Sequence, residues 1–183
     1  MNIAIVGNGP IQDCGAKIDQ FDIVVRFNVP RYWNKGAGKK FDIWVIANCG
    51  SGSRFAKKRT FLNSDYKNLP SEIFFPRPWG LRPHYKNNAH ALLSNNKICS
   101  ETLFYIPKER YLALLSKLKE ISGKAVFPSA GLVAIHTIVS LAEKEDQVVL
   151  YGFGFRGWSG HCWKTERKYV ELLKSQNKVK IGT

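Results

Sequence analysis

The chain's 183 residues carry 28 Lys and Arg against 14 Asp and Glu, a net charge of +14, and 44% of them are hydrophobic. That length suffices for one domain, residues 1–183, with a proper core; no apolar run approaches the ~20 residues of a membrane helix and no basic-then-apolar leader opens the chain, so a soluble cytoplasmic protein is expected. The positive excess favours nucleotides, polyanions or anionic membrane surfaces, and Cys14, Cys49, Cys99 and Cys162 contain no C-x-x-C pair, which argues for free thiols over a zinc knuckle or disulfide framework.

In chain order, Ile3–Val6 reads as a buried strand, and Gly7-Asn8-Gly9-Pro10 turns off its carboxyl end, where open α/β folds hold nucleotides. Further short apolar runs predict strands at Ile23–Phe27, Ile43–Ile46, Ile73–Phe75, Leu103–Ile106, Val148–Tyr151 and Val179–Ile181. Helical spacing predicts Arg110–Ile121, Gly131–Glu143 and Thr165–Ser175. The alternation points to α/β with a mostly parallel sheet. Residues 50–97 are rich in Gly, Ser, Asn, Pro and basic side chains around Phe74-Phe-Pro-Arg-Pro-Trp-Gly80, leaving room only for short elements in a long irregular segment.

Two further stretches can carry chemistry. Phe127-Pro128-Ser129-Ala130-Gly131 precedes an apolar helix, so Ser129 is either a plain N-cap or part of an anion site at the helix amino terminus. The run from Tyr151 to Glu166 is rich in glycine and aromatic residues, and His161 is its only histidine. A neutral imidazole there suits proton abstraction from a hydroxyl, with Glu166, five positions on, as the group that orients the ring. His136, inside an apolar helix, is expected to pack, and His84 and His90 in the basic stretch are not candidates. There is no D-x-D and no zinc-like histidine spacing, so metal binding is not expected and phosphate stabilisation falls to protein donors.

In combination these segments resemble the sialyltransferases of glycosyltransferase family 29. Val6-Gly-Asn-Gly-Pro10, Cys14-Gly15, Ile18-Asp19, Phe21 to Asn28 and Gly38-Lys-Lys-Phe-Asp42 resemble the long sialyl motif, spanning residues 3–46. Pro128 to Ala134 through Val148 to Phe153 resembles the short motif, within 127–153, and His161 to Glu166 has the His-x4-Glu form of the very short one. The motifs stand in the family's order.

The resemblance implies a Rossmann-like three-layer sandwich, a variant of the GT-A glycosyltransferase fold, and metal-independent, inverting transfer of sialic acid from a CMP-sugar donor to a glycan hydroxyl. Sialic acid is the first choice of sugar, with Kdo or another nonulosonic acid as the alternative. Carried over by position, Asn8 and Asn28 contact the donor's phosphate and ribose, Ser129 and Gly131 lie along the nucleotide, Gly152 approaches the cytidine side, and Gly7, Gly9 and Tyr151 complete the donor site. His161 is the general base, or else takes the phosphate-binding place of the family's His-Tyr-Tyr type motif, because only one histidine follows residue 136. Unlike the animal members, the chain is expected to lack an anchor, and it carries Ala142 near the place of the second motif cysteine; a bacterial or viral cytoplasmic relative is the expectation.

A second reading is a basic nucleotide- or RNA-binding module on the same fold, with Trp79, Trp158 and Trp163 for base stacking; the absence of an RNA-binding signature disfavours nucleic acid. The basic surface also suits peripheral contact with the inner face of a membrane, where a lipid-linked or surface glycan is the acceptor.

Overall fold

A computed structural model describes residues 1–48, 70–78, 88–96, 98 and 102–183. Cys49, Trp79, His84 and Cys99 lie outside the described residues. In chain order the elements are β1 (Asn2–Val6), α1 (Gly15–Ile18), β2 (Ile23–Phe27), β3 (Ile43–Val45), β4 (Glu72–Phe75), α2 (Ala89–Asn96) and β5 (Thr102–Tyr105), followed by α3 (Lys108–Ser122), α4 (Ala130–Leu141), β6 (Gln147–Tyr151), α5 (Trp163–Ser175) and β7 (Lys180–Ile181). The seven strands anticipated are present with ends shifted by a residue or so. α1 and α2 were not foreseen: one is a single turn, and the other lies in the basic irregular segment.

The strands form one sheet in the order β5-β4-β3-β2-β1-β6-β7. Every pairing is parallel. Both faces of the inner strands β1 to β4 and β6 are covered, which is why these strands read as continuous apolar runs rather than alternating ones, while Leu103 and Ile181 of the edge strands β5 and β7 stay exposed. Ile3 and Ile5 point with Val25, Val148 and Leu150 into a core closed by α3, α4 and α5 through Leu114, Leu118, Val133, Ile135 and Leu173. Ala4 and Val6 turn the other way, onto Ile18 of α1, while Trp44, Ile73 and Phe75 meet Ala89 and Leu92 of α2. The result is the expected three-layer α/β arrangement. Among the described residues no helix is long and apolar enough to cross a membrane.

The chain leaves β1 in one direction through β2 to β5, then returns to set β6 on the other side of β1. Because all strands run the same way, the loops after β1 and β6 emerge together at this reversal, the place where open α/β sheets take ligands. Nearby, the buried Arg26 of β2 donates to the carbonyls of Ala37 (2.7 Å) and Lys40 (2.9 Å). Burial lowers its pKa to about 10, opposed by Asp19 and Asp42. Asp19 in turn accepts from the Lys39 and Lys40 amides, so the segment after β2 is pinned beneath the loops of the reversal.

Candidate active site

The two loops touch through backbone. The Gly7 amide donates to the Tyr151 carbonyl at 2.8 Å and the Gly9 amide to the Gly152 carbonyl at 2.7 Å. A Cβ on either Gly7 or Gly9 would stand 2.6 Å from that Gly152 oxygen, and Gly152 itself sits at φ +66. These glycines close the reversal point, and the amides of Gly7 and Gly9 are spent on the end of β6 and the residue after it. The Tyr151 side chain is buried in the core beside α1.

Asn8 joins this loop to the end of β2: its Nδ2 donates to the Phe27 carbonyl (3.1 Å) and its Oδ1 accepts from the Arg31 amide (3.0 Å). Asn28 adopts φ 45, a left-handed conformation that asparagine tolerates better than most residues. Its Oδ1 accepts from the Ala47 amide at 2.9 Å, tying β2 to the end of β3. Its Nδ2 makes no hydrogen bond among the described residues.

Ser129 is the N-cap of α4, its Oγ accepting from the Leu132 amide at 3.1 Å. Two more bonds tie it to Glu166: its amide donates to Oε1 and its hydroxyl to Oε2, each at 2.7 Å. The first-turn amides of Ala130 and Gly131 have no partner within the helix. Gly131 admits the Phe153 ring, which would lie 3.1 Å from an added Cβ.

Glu166 therefore does not orient His161, contrary to the expectation from their spacing. It stands in the first turn of α5, 2% exposed, and reaches α4 instead. Burial pushes its pKa up to about 7, against the opposing effects of the Ser129 bonds and the Arg77 charge. The ring of His161 is held by the Phe127 carbonyl, 3.1 Å from Nδ1. A carbonyl only accepts, so Nδ1 carries the proton and Nε2 the lone pair. The rings of Trp158 and Trp163 meet the imidazole edge-on at centroid distances of 4.9 and 5.1 Å. Burial lowers the His161 pKa, the Phe127 carbonyl opposes the shift, and the Arg77 charge adds to it, so the neutral base prevails at pH 7.

Arg77, missed as a site residue, sits between these groups. Buried Asn48 clamps its backbone, donating to its carbonyl and accepting from its amide at 3.1 Å each. Its Nη2 donates to the Pro128 carbonyl at 2.9 Å, and the guanidinium lies 5.0 Å from the Tyr111 ring centroid. Nη1 is enclosed and has no hydrogen-bond partner among the described residues. The one signal was the Pro-Arg-Pro step directly after a strand.

The remaining histidines are elsewhere. His136 bonds the Tyr169 hydroxyl at 2.7 Å between α4 and α5, and His90 is exposed on α2. Cys14 and Cys162 are free thiols. Among the described residues no group of three or more His, Cys, Asp or Glu side chains is arranged to hold a metal ion.

Comparison with known proteins bears on the family and on the fold. The sequence model of glycosyltransferase family 29 (sialyltransferase) matches residues 2–179. A relative from Rhizobium meliloti (strain 1021), named urease operon 23 kDa accessory protein, is 32% identical over 208 residues, covering 97% of this chain and 91% of its own. Among solved structures, a mammalian sialyltransferase superposes with a TM-score of 0.64 at 17% identity, over 99% of this chain and 68% of that one. A Campylobacter jejuni sialyltransferase in complex with cytidine-5'-monophosphate gives 0.58 at 17%, over 98% and 77%. An α-2,3-sialyltransferase from the same organism, in apo form, gives 0.60 at 22%, over 98% and 73%. The structural likeness shows a shared fold, and the family match, running through nearly every residue, shows that the chain belongs to glycosyltransferase family 29, the sialyltransferase family.

Proposed function

We propose that this protein is a CMP-sugar-dependent, inverting glycosyltransferase that moves sialic acid, or a related nonulosonic acid such as Kdo, onto a glycan hydroxyl. The observation that carries the reading is His161, a neutral imidazole with its Nδ1 proton on the Phe127 carbonyl and its Nε2 lone pair without a hydrogen bond among the described residues. Family membership and a shared fold with a sialyltransferase bound to CMP support it.

In this mechanism the nucleotide lies across the loops after β1 and β6, with Asn8, Asn28 and the Ser129 loop at its phosphate and ribose. The acceptor oxygen attacks the anomeric carbon as its proton passes to His161 Nε2. The bond from the anomeric carbon to the phosphate oxygen breaks on the opposite face, and CMP leaves with the electron pair. Fixed protein donors neutralise the developing phosphate charge without a metal ion. The net charge of +14 attracts an anionic donor, or an anionic membrane carrying a lipid-linked or surface glycan.

The same charge, together with a relative named as a urease accessory protein, favours a second reading: a nucleotide-binding module without transfer activity. Calorimetry with CMP, UMP, GMP and a short single-stranded RNA tests the proposal. Selective binding of CMP is expected. Binding of RNA with no preference among the mononucleotides would favour the second reading.

A further inference from the structure

The hydrogen-bond inventory at Ser129 does not fit an anion site as it stands. A hydroxyl has one proton and two lone pairs. Here the proton goes to Glu166 Oε2 and one lone pair takes the Leu132 amide. What Ser129 Oγ has left for a ligand is a second lone pair, which repels a phosphate oxygen. The Ser129 amide is also committed, to Glu166 Oε1. A buried carboxylate thus holds both Ser129 donors that the α4 amino terminus would otherwise present.

We propose, on the reading that CMP binds at this loop, that Glu166 takes up a proton when the nucleotide phosphate docks, and that Ser129 thereby turns its hydroxyl proton from the carboxylate to the phosphate. The bonds balance. Protonated Oε2 donates to the free lone pair of Ser129 Oγ, the Leu132 amide keeps the other, and the hydroxyl proton is released toward the ligand. Oε1 continues to accept from the Ser129 amide. Glu166 is a positioning residue in this scheme, acting on the phosphate only through Ser129.

The surroundings allow the exchange. Arg77 is the cation facing Glu166 from the β4 side, yet it makes no ion pair with it, its Nη2 being turned to the Pro128 carbonyl. On the α5 side stand His161, held by Phe127, and Cys162, whose thiol is 2.9 Å from the Thr165 hydroxyl and feels the Glu166 charge. The first turn of α4 contributes no acidic side chain. Burial already brings Glu166 to about 7, and an anion beside Ser129 pushes it higher, so the proton is available near neutral pH.

The test is calorimetry of the protein with the methyl phosphodiester of CMP, whose single charge does not titrate near neutrality, in buffers of different ionisation heat at pH 7.5. The expected result is uptake of roughly half a proton or more per ligand, and affinity falling by as much as about tenfold per pH unit between pH 7 and 9. Uptake should persist in His161→Asn and vanish in Glu166→Gln. Binding with no dependence on buffer, or uptake that survives Glu166→Gln, overturns the coupling alone. Failure to bind the ligand overturns the CMP reading and the coupling together. Should Glu166→Gln not fold, carboxyl-carbon NMR of the wild-type protein decides: one glutamate must titrate near pH 7 and shift upward on binding, and an unshifted titration contradicts the proposal.

Discussion

The Gly9 amide and the Gly152 carbonyl meet at 2.7 Å across the sheet reversal, and the same oxygen would lie 2.6 Å from any Cβ at Gly9. The two loops can therefore close only while residue 9 has no side chain. Gly9→Ala is expected to part them, lowering stability by about 1–3 kcal/mol in urea denaturation, the usual cost of overpacking a close contact. Nucleotide affinity should fall with it.

His161→Asn is expected to lower the transfer rate by about 100- to 10,000-fold at saturating donor while leaving CMP affinity nearly intact, because the imidazole acts on the acceptor hydroxyl. Burial lowers the ring's pKa, so the wild-type rate at saturating donor should fall only as pH drops below about 6.5. An equal loss of CMP affinity in the variant would assign His161 to phosphate binding instead of the proton.

Asn28 can be divided into its two roles. Its Oδ1 latches the Ala47 amide, and its Nδ2, with no hydrogen bond among the described residues, is the donor that the proposed function assigns to the nucleotide. Asn28→Asp keeps an acceptor and tolerance of the left-handed backbone, so stability should change little, whereas CMP affinity should drop about tenfold or more as a donor to phosphate is replaced by a negative charge. Asn28→Ala should lose both, at about 1–3 kcal/mol of stability. Equilibrium denaturation and calorimetry on the same two variants separate these outcomes.

Glu166 also sets a pH dependence of folding. Its carboxyl is raised from 4.5 to about 7 by burial, so the folded state holds the proton more tightly than the unfolded chain. The contribution is fully present below about pH 4.5 and is lost as pH rises through 7, on the order of 3 kcal/mol in all. Glutamine imitates the protonated acid, accepting from the Ser129 amide and donating to its hydroxyl. Relative to wild type, Glu166→Gln should therefore gain stability between pH 5 and 8, measured by denaturation at both.

The sheet was legible because its inner strands are buried on both faces, which turns each into an unbroken apolar run such as Ile3 to Val6 or Val148 to Tyr151. α1 escaped because one helical turn leaves no periodicity to read. The site was legible as a set of loops but not as a set of bonds. Glu166 was assigned to His161 on their spacing of five, yet its partner Ser129 is 37 residues away, since burial in the first turn of α5 directs the carboxylate across to α4. Arg77 was hidden for a similar reason: what makes it part of the site is the Asn48 clamp and the Pro128 carbonyl, neither of which leaves a local pattern.

Transfer from a CMP-activated sugar can be read by phosphorus NMR of CMP-sialic acid incubated with the protein, a panel of glycosides and excess chelator. Enzyme-dependent release of CMP is expected, accelerated by an acceptor, undiminished by the chelator and lost in His161→Asn. An intact donor signal under all acceptors, or turnover that requires added magnesium or manganese, would contradict it.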